Sequence, residues 1–192
     1  MLKDHFDAIY KQETNYYGQK ENPDLSVIIR LISTGDALDL GVGEGRNAMF
    51  LARQGFNVTG VDFSIEALNK LNLAKTKENS NLKTVHSDIS DFKINQLYHL
   101  IISNATLHFL KKKEIYKLVD SMKLNTHIGG INYITAFTRK DTIGDFDYLF
   151  EKEELKEMYI NWEIIKYTEF VITPPRGSKT KKGLTTIIAR KV

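Results

Sequence analysis

The residues whose types and spacing most clearly indicate ligand binding lie in a glycine-rich turn that follows an apolar run. Residues 37–40 are apolar except for Asp39, and Gly41, Gly43 and Gly45 alternate directly behind them. Glycine allows backbone conformations and close approaches that any Cβ would forbid, and the free N–H groups of a following helix point at whatever lies above the turn. The pattern therefore predicts a strand, a ligand-binding loop and a helix start, with a nucleoside-type ligand.

The spacing of this turn separates two kinds of nucleoside ligand. A dinucleotide-binding turn has a third small residue under the pyrophosphate, whereas Arg46 stands at that position and Gly45 comes one residue early. Asp39 is also unfavourable for a phosphate, because both are negatively charged. An acid there suits a ligand that carries an amine or another cation, and Arg46 is a candidate contact to that ligand.

Two more acids follow the ends of predicted strands. Asp62 closes the second predicted strand, 56–61. It lies close to the roughly 20-residue interval after the glycine turn at which nucleotide folds place an acid on ribose hydroxyls. Asp88 comes just after the third predicted strand and is a candidate partner for an adenine amino group. Phe63 and Ile89, beside the two acids, are candidate apolar contacts to the ligand. Since ligands of α/β sheets bind at the carboxyl ends of the strands, we expect all three acids at one site.

Length and composition favour one globular domain. The chain has 192 residues, of which 42% are hydrophobic, enough for a substantial core. A net charge of +3 is too small to indicate nucleic-acid binding, and the absence of cysteine excludes disulfides and thiolate chemistry. The histidines lack the spacing of metal ligands. We therefore expect no bound metal. Because the first residues lack the apolar core of a signal peptide and no stretch reaches membrane-spanning length, we expect a cytoplasmic protein.

The order of the predicted elements indicates an α/β fold. Strands alternate with helices five times, the fifth strand covering 131–137, and two final strands form a hairpin. This order fits a doubly wound, Rossmann-like sheet of seven strands, mostly parallel with an antiparallel terminal strand. Residues 1–34 are interpreted as a helical lid segment, with Asn22 as the N-cap of a helix, and residues 35–192 as the main domain.

These features together resemble a known enzyme family. The pattern D-x-G-x-G-x-G after a strand resembles motif I of the class I S-adenosylmethionine (SAM) methyltransferases, whose ligand is an amino acid joined to a nucleoside through a sulfonium. From about residue 36 to the C-terminus, further segments look like the tellurite-resistance TehB-type methyltransferases. Those segments are Leu38-Asp39-Leu40-Gly41, Gly45-Arg46-Asn47, Gly55-Phe56, Leu107-His108-Phe109-Leu110, Gly129-Gly130, Phe150-Glu151-Lys152, Glu154-Leu155, Trp162-Glu163 and Ala189-Arg190-Lys191.

The resemblance implies SAM as the cofactor and a small, soft nucleophile as the methyl acceptor, such as a tellurium or selenium oxyanion or a thiol. Transfer would be a single in-line displacement, in which the enzyme mainly orients the reactants and excludes water. The chain departs from the family's pattern at Val42, where a cysteine is common, and at Pro175, where a histidine precedes the arginine Arg176.

The resemblance also gives candidates for the acceptor half of the site. Ser103 ends the fourth predicted strand, and the turn behind it faces the transferred methyl group in this fold. His108 in that turn has two open roles, a structural one and that of a general base. Arg176 lies in the basic loop 173–183, where its planar guanidinium suits an oxyanion, although a solvated hairpin tip explains the same charges. Tyr17 either packs on the surface or closes over the ligand.

Two other classes of function remain open at this point. A nicotinamide oxidoreductase shares the fold plan, although Arg46 in place of a small residue argues against it. A noncatalytic SAM-binding module or partner subunit would keep the three acids and lose the acceptor side. Nucleic acid and membrane are not expected as partners, because no base-gripping motif such as Asn-Pro-Pro-Tyr follows the fourth strand and basic charge is not concentrated on one face.

Overall fold

Seven strands form one sheet. The computed structural model describes residues 2–12, 15–32, 34–140, 146–173 and 181–192. In chain order the strands are β1 Asp36–Leu40, β2 Asn57–Asp62, β3 Leu82–His86, β4 Tyr98–Asn104, β5 Thr126–Thr138, β6 Glu163–Ile172 and β7 Lys182–Arg190. Their order across the sheet is β3-β2-β1-β4-β5-β7-β6. β7 pairs antiparallel with β5 and β6, and the other neighbouring pairs are parallel, which confirms the predicted fold class.

Helices cover both faces of this sheet. They are α1 Leu2–Gln12, α2 Leu25–Leu31, α3 Arg46–Arg53, α4 Ile65–Ala74, α5 Lys112–Leu124 and α6 Glu154–Glu157, with short 3-10 turns at Lys77–Asn79 and Leu107–Phe109. α2, α3 and α4 bury apolar side chains with one face of the sheet, and α5 and α6 with the other. In β4, Ile101 belongs to one cluster, whereas Leu100 and Ile102 belong to the other, because successive side chains of a strand point to opposite faces. None of the described helices is long and apolar enough to cross a membrane.

The parallel arrangement of β1 to β4 brings their carboxyl ends to one edge. Asp62 ends β2 and Asn104 ends β4, so the turns that follow these strands meet above the sheet. After β2 the chain enters α4 through Ser64, whose hydroxyl oxygen accepts a hydrogen bond from the Ala67 N–H group at 3.2 Å. Ser64 is therefore the N-cap of α4, and the Asp62 side chain is not needed for that role.

Two predictions about the helices are wrong. Residues 87–97 hold no helix between β3 and β4, because Asp88 accepts hydrogen bonds from the N–H and hydroxyl groups of Ser90 and forms a turn. α2 begins at Leu25 rather than directly after Asn22. The Asn22 side-chain oxygen accepts a hydrogen bond from the Asp24 N–H group at 3.1 Å, which makes a turn ahead of the helix.

β5 is longer than the predicted strand 131–137. It begins at Thr126, and its register against β4 shifts between Tyr98 and Leu100. Gly129 has a φ of +78° inside this stretch. The two glycines therefore form an irregularity within the strand rather than its start.

Candidate active site

A cavity of about 150 Å³ opens at the carboxyl edge of the sheet. Its walls come from the turns that follow β1, β2, β3 and β4 and from the N-terminal part of the chain. Ten of the predicted ligand contacts line it, namely Tyr17, Asp39, Gly41, Gly43, Gly45, Arg46, Asp62, Phe63, Asp88 and Ile89. The fold thus brings together residues that the sequence separates by more than seventy positions, and their roles toward a ligand stay predictions.

The glycine turn has the backbone conformation that requires glycine. Gly41, Gly43 and Gly45 have φ values of +80°, +53° and +82°, which residues with a Cβ rarely adopt. A Cβ on Gly41 would also overlap the Thr106 side chain, and one on Gly45 would overlap Leu71. The turn therefore packs against both neighbouring elements while its backbone lines the cavity.

Asp62 joins two of the turns around the cavity. Its Oδ2 atom accepts a hydrogen bond from the Gly43 N–H group at 2.8 Å, and its Oδ1 atom accepts one from Ser64 N–H at 2.9 Å. Burial raises the pKa of Asp62 above its ordinary value, while the same two N–H groups oppose the rise. Each carboxylate oxygen can still accept a second hydrogen bond, which is what two vicinal ribose hydroxyls require.

Asp39 is a buried acid close to Asp62. Burial, followed by the charge of Asp62, raises the pKa of Asp39 to about 7, and the Arg46 charge opposes this. Among the described residues no group donates a hydrogen bond to its side chain. A cationic ligand beside Asp39 would stabilise the ionised form, because an opposite charge offsets the cost of burial.

The third acid differs from the other two in exposure. Asp88 is exposed and bound to Ser90, whereas the adjacent Ile89 is buried. The pair therefore offers a polar atom at the rim of the cavity and an apolar side chain inside it, the arrangement expected for a heteroaromatic base.

Side chains of the glycine turn hold the segment of residues 15–22, which we name the strap. The Glu44 carboxylate accepts hydrogen bonds from the N–H groups of Asn15 at 2.8 Å and Tyr16 at 2.7 Å. The Arg46 guanidinium donates to the Tyr17 carbonyl oxygen at 3.0 Å. Arg46 lines the cavity as predicted, but its charged group is directed to the strap backbone.

Aromatic side chains of the N-terminal segment close one side of the cavity. Tyr10 is buried, and its hydroxyl would lie 3.0 Å from a Cβ on Gly43. The Phe6 ring packs edge-on against Phe63 at 6.0 Å and against Phe109 at 5.1 Å between centroids. Tyr17 packs edge-on against Tyr10 at 6.5 Å, so it belongs to this wall rather than to an unrelated surface.

The structure places His108 away from the cavity lining. Its ring is buried and stacks on Phe137 at 4.0 Å between centroids, and its Nδ1 atom accepts a hydrogen bond from the Phe137 N–H group at 3.4 Å. Burial, with a smaller contribution from the charge of Lys182, lowers the pKa of His108 to about 3. This placement favours the structural role and argues against the general base.

Ser103 does not line the cavity, and the placement of Arg176 is not described. Ser103 is fully buried in β4, and in the described part of the chain its hydroxyl has no hydrogen-bond partner. Arg176 lies outside the described residues. Ile172 and Lys182 end β6 and begin β7, so the connection that contains Arg176 leaves and enters at the carboxyl edge. Among the residues that the structure covers, no group of three or more His, Asp or Glu is placed to hold a metal.

Several lining residues were missed by the sequence reasoning. Phe6, Tyr10 and Glu44 line the cavity. Glu44 stands inside the glycine turn, which is a usable signal. Phe6 and Tyr10 have helical spacing but no local sign of a ligand, because they reach the cavity through the packing of α1 on α4.

The chain matches a described family and its curated relatives. The family "Tellurite resistance protein TehB" matches residues 8–182. The "Probable S-adenosyl-L-methionine-dependent methyltransferase TehB" of Haemophilus influenzae is 32% identical over 196 aligned residues, which cover 96% of this chain and 68% of the relative.

Solved structures share the fold of this chain. The crystal structure of TehB from Haemophilus influenzae aligns with a TM-score of 0.86 at 30% identity, covering 99% of this chain and 67% of that one. The glycopeptide N-methyltransferase MtfA complexed with SAM aligns with a TM-score of 0.67 at 14% identity, covering 92% of this chain and 96% of that one. At that identity the second match shows the fold alone.

The buried carboxyl group of Asp39 predicts a pH dependence of stability. The native state keeps the proton of Asp39 up to about pH 7, whereas the unfolded chain releases it near pH 4. The native state therefore binds more protons within that window, and the free energy of unfolding falls by up to about 1.4 kcal/mol per pH unit from this group. Above about pH 7 the contribution is constant. In Asp39→Asn this decline should disappear, so the variant gains stability relative to the natural chain between pH 5 and pH 7.5.

Denaturant unfolding of both proteins at the two pH values measures this difference. The exposed acid Asp91 supplies the matched control, and Asp91→Asn should follow the natural chain. A pH dependence of Asp39→Asn parallel to that of the natural chain would refute the assignment.

The contacts of Glu44 predict that it holds the strap in place. Glu44→Gln keeps the size of the side chain but leaves one oxygen for two N–H donors. We expect backbone amides of the strap to exchange roughly tenfold faster in hydrogen-exchange mass spectrometry, because a charge-assisted hydrogen bond contributes about 1.5–3 kcal/mol. Lys70→Met removes the Lys70–Glu44 ion pair at 3.7 Å but keeps the Glu44 carboxylate that accepts from the strap, and it should leave the exchange nearly unaltered. Equal exchange in Glu44→Gln and the natural chain would show that the strap is held by other contacts.

Proposed function

The chain belongs to the TehB family, and from this premise we propose that it transfers the methyl group of SAM to a small, soft anion. Selenite, tellurite and thiolates are the candidate acceptors. The family and the solved relative make the chain a class I SAM-dependent methyltransferase. The nicotinamide oxidoreductase and the noncatalytic module, both open from the sequence, are therefore not retained.

The observation that carries the proposal is the arrangement of three strand-end acids around one cavity. Asp88 lies two residues beyond the end of β3, Asp62 ends β2, and Asp39 is the last residue but one of β1. These three strands are neighbours in the sheet, and all three acids line the cavity. A ligand laid across this edge would meet a base contact at Ile89, a ribose contact at Asp62 and a carboxylate for its cationic part at Asp39. The order of these groups is the order of the parts of SAM.

The glycine turn supplies the remaining fit. Gly43 leaves its backbone exposed to the cavity and donates its N–H group to Asp62, so a ligand can approach the main chain closely. The rings of Tyr10 and Tyr17 also line the cavity, and Tyr10 is buried, so these rings limit the access of water to the ligand. A well-aligned and dry site of this kind is worth up to about 7–11 kcal/mol of the barrier.

SAM supplies a methyl group on a positively charged sulfur, which is a good leaving group. The residues at the end of β4 face the place where that methyl group would lie. They are Asn104, Ala105, Thr106, Phe109 and Leu110, and none of these side chains titrates near neutral pH. An amine or an alcohol would need a base to remove its proton, whereas selenite, tellurite and a thiolate attack with a free lone pair. The acceptor end therefore suits an anion that arrives deprotonated.

A methyl-transfer assay tests the proposed function. The protein is incubated with SAM that carries a labelled methyl group and, separately, with selenite, tellurite, a thiol and an amine. Mass spectrometry should detect methylated products of the anionic acceptors and S-adenosylhomocysteine in equal amounts. Methylation of the amine alone, or of none of the acceptors, would contradict the proposal.

Asp62 provides a quantitative prediction for cofactor binding. Asp62→Ala removes charge-assisted hydrogen bonds of roughly 1.5–3 kcal/mol, so the SAM affinity measured by calorimetry should fall on the order of tenfold to a hundredfold. Asp91→Ala removes an exposed acid from a nearby turn and should leave the affinity unaltered. An unchanged dissociation constant in Asp62→Ala would exclude Asp62 from the ribose site.

A further inference from the structure

The turn after β4 has an uncommon backbone conformation at the cavity. Asn104 ends β4, and Ala105 behind it has a φ of +55°, a region that residues with a Cβ rarely adopt. Asn104, Ala105 and Thr106 all line the cavity. Such conformations persist where the surrounding contacts hold them, and they are frequent at functional sites.

A buried threonine holds this turn. The Thr135 hydroxyl on β5 donates a hydrogen bond to the Asn104 Oδ1 atom at 2.5 Å and accepts one from the Ala105 N–H group at 2.9 Å. Thr135 pairs with Asn104 in the parallel register of β4 and β5. A hydroxyl has one proton. Among the described residues that proton has the Asn104 amide oxygen as its acceptor, and this contact assigns the orientation of the Asn104 amide.

This orientation leaves the amide NH₂ group of Asn104 as a donor. Within the part of the chain that the structure describes, no hydrogen bond engages that nitrogen. The sheet order β3-β2-β1-β4 places Asn104 at the opposite end of the row from Asp88. If the adenine of SAM contacts Asp88 and Ile89, the rest of SAM extends along the strand ends toward β4. The NH₂ group of Asn104 then lies on the side of the methyl group and the acceptor.

We propose that Asn104 positions the methyl acceptor by donating a hydrogen bond to an oxygen of a small oxyanion, and that Thr135 orients it. This inference rests on the proposed function and narrows its acceptor class. An oxyanion such as selenite binds through an oxygen while the lone pair of its central atom stays free. That lone pair forms the new selenium–carbon bond as the carbon–sulfur bond of SAM breaks, and the electrons of the broken bond remain on sulfur. No proton moves, in agreement with the lining residues at the end of β4, none of which is a base among the described residues.

Asn104→Asp is the direct test, because aspartate keeps the oxygen that accepts from Thr135 and replaces only the NH₂ group. Selenite is titrated calorimetrically into the complex of the protein with S-adenosylhomocysteine. The lost donor and the repulsion between carboxylate and oxyanion should weaken selenite binding more than tenfold. The affinity for S-adenosylhomocysteine should stay within about twofold of the natural chain.

Variants of Thr135 separate positioning from general stability. Thr135→Val removes the hydroxyl at constant volume and should raise the Michaelis constant for selenite several-fold with a smaller change in kcat. Thr135→Ser restores the hydroxyl and should behave as the natural chain does. Thr168→Val on β6, whose buried hydroxyl has no partner among the described residues, is the matched control and should alter neither constant.

The outcomes distinguish this inference from the proposed function. Methylation of selenite with equal constants in the natural chain and Asn104→Asp would overturn the role of Asn104 and leave the function standing. Failure of the natural complex to bind selenite would overturn the inference even if thiols are methylated. A loss of S-adenosylhomocysteine affinity in Asn104→Asp would also overturn it, since the amide would then contact the cofactor. Absence of all methyl transfer would contradict the proposed function, and the selenite titration would still decide the role of Asn104.

Discussion

The Asp62 carboxylate is the contact on which the site depends. It accepts N–H groups from the glycine turn after β1 and from the helix start after β2, so one side chain fixes two walls of the cavity. Without this carboxylate the N–H groups of Gly43 and Ser64 would be buried without a hydrogen-bond acceptor, which lowers the stability of the fold. The same carboxylate contributes to the raised pKa of Asp39. The ionised forms of Asp39 and Asp62 repel each other, and a cationic ligand beside them would offset that repulsion.

The glycine turn serves two surfaces at once. Its backbone lines the cavity, while the side chains of Glu44 and Arg46 hold the strap. Asn47, the next residue, accepts a hydrogen bond from the Asn22 N–H group at 2.9 Å and extends this contact along the strap. Arg46 is too large for the third small position of a dinucleotide-binding turn, and the structure gives it another role, because its guanidinium joins the glycine turn to the strap.

The sequence was sufficient where the signal is local. Glycines at alternate positions and acids at strand ends are read from short segments, and the cavity lining contains them. The contact between Asn104 and Thr135 was not predictable, because the two residues meet only through the register of β4 and β5. His108 was ambiguous for the same reason. The His108 ring is buried against the Phe137 ring of β5, and no local sequence pattern reveals that contact.

The orientation of SAM along the strand ends is the central claim, and intermolecular nuclear Overhauser effects test it most directly. The protein is labelled with ¹³C and ¹⁵N, and SAM is added without an acceptor. We expect contacts from the adenine protons to the Ile89 methyl groups and from the sulfonium methyl group to the Thr106 methyl group. Contacts of the sulfonium methyl group with Ile89, or of SAM only with residues outside the cavity, would contradict it.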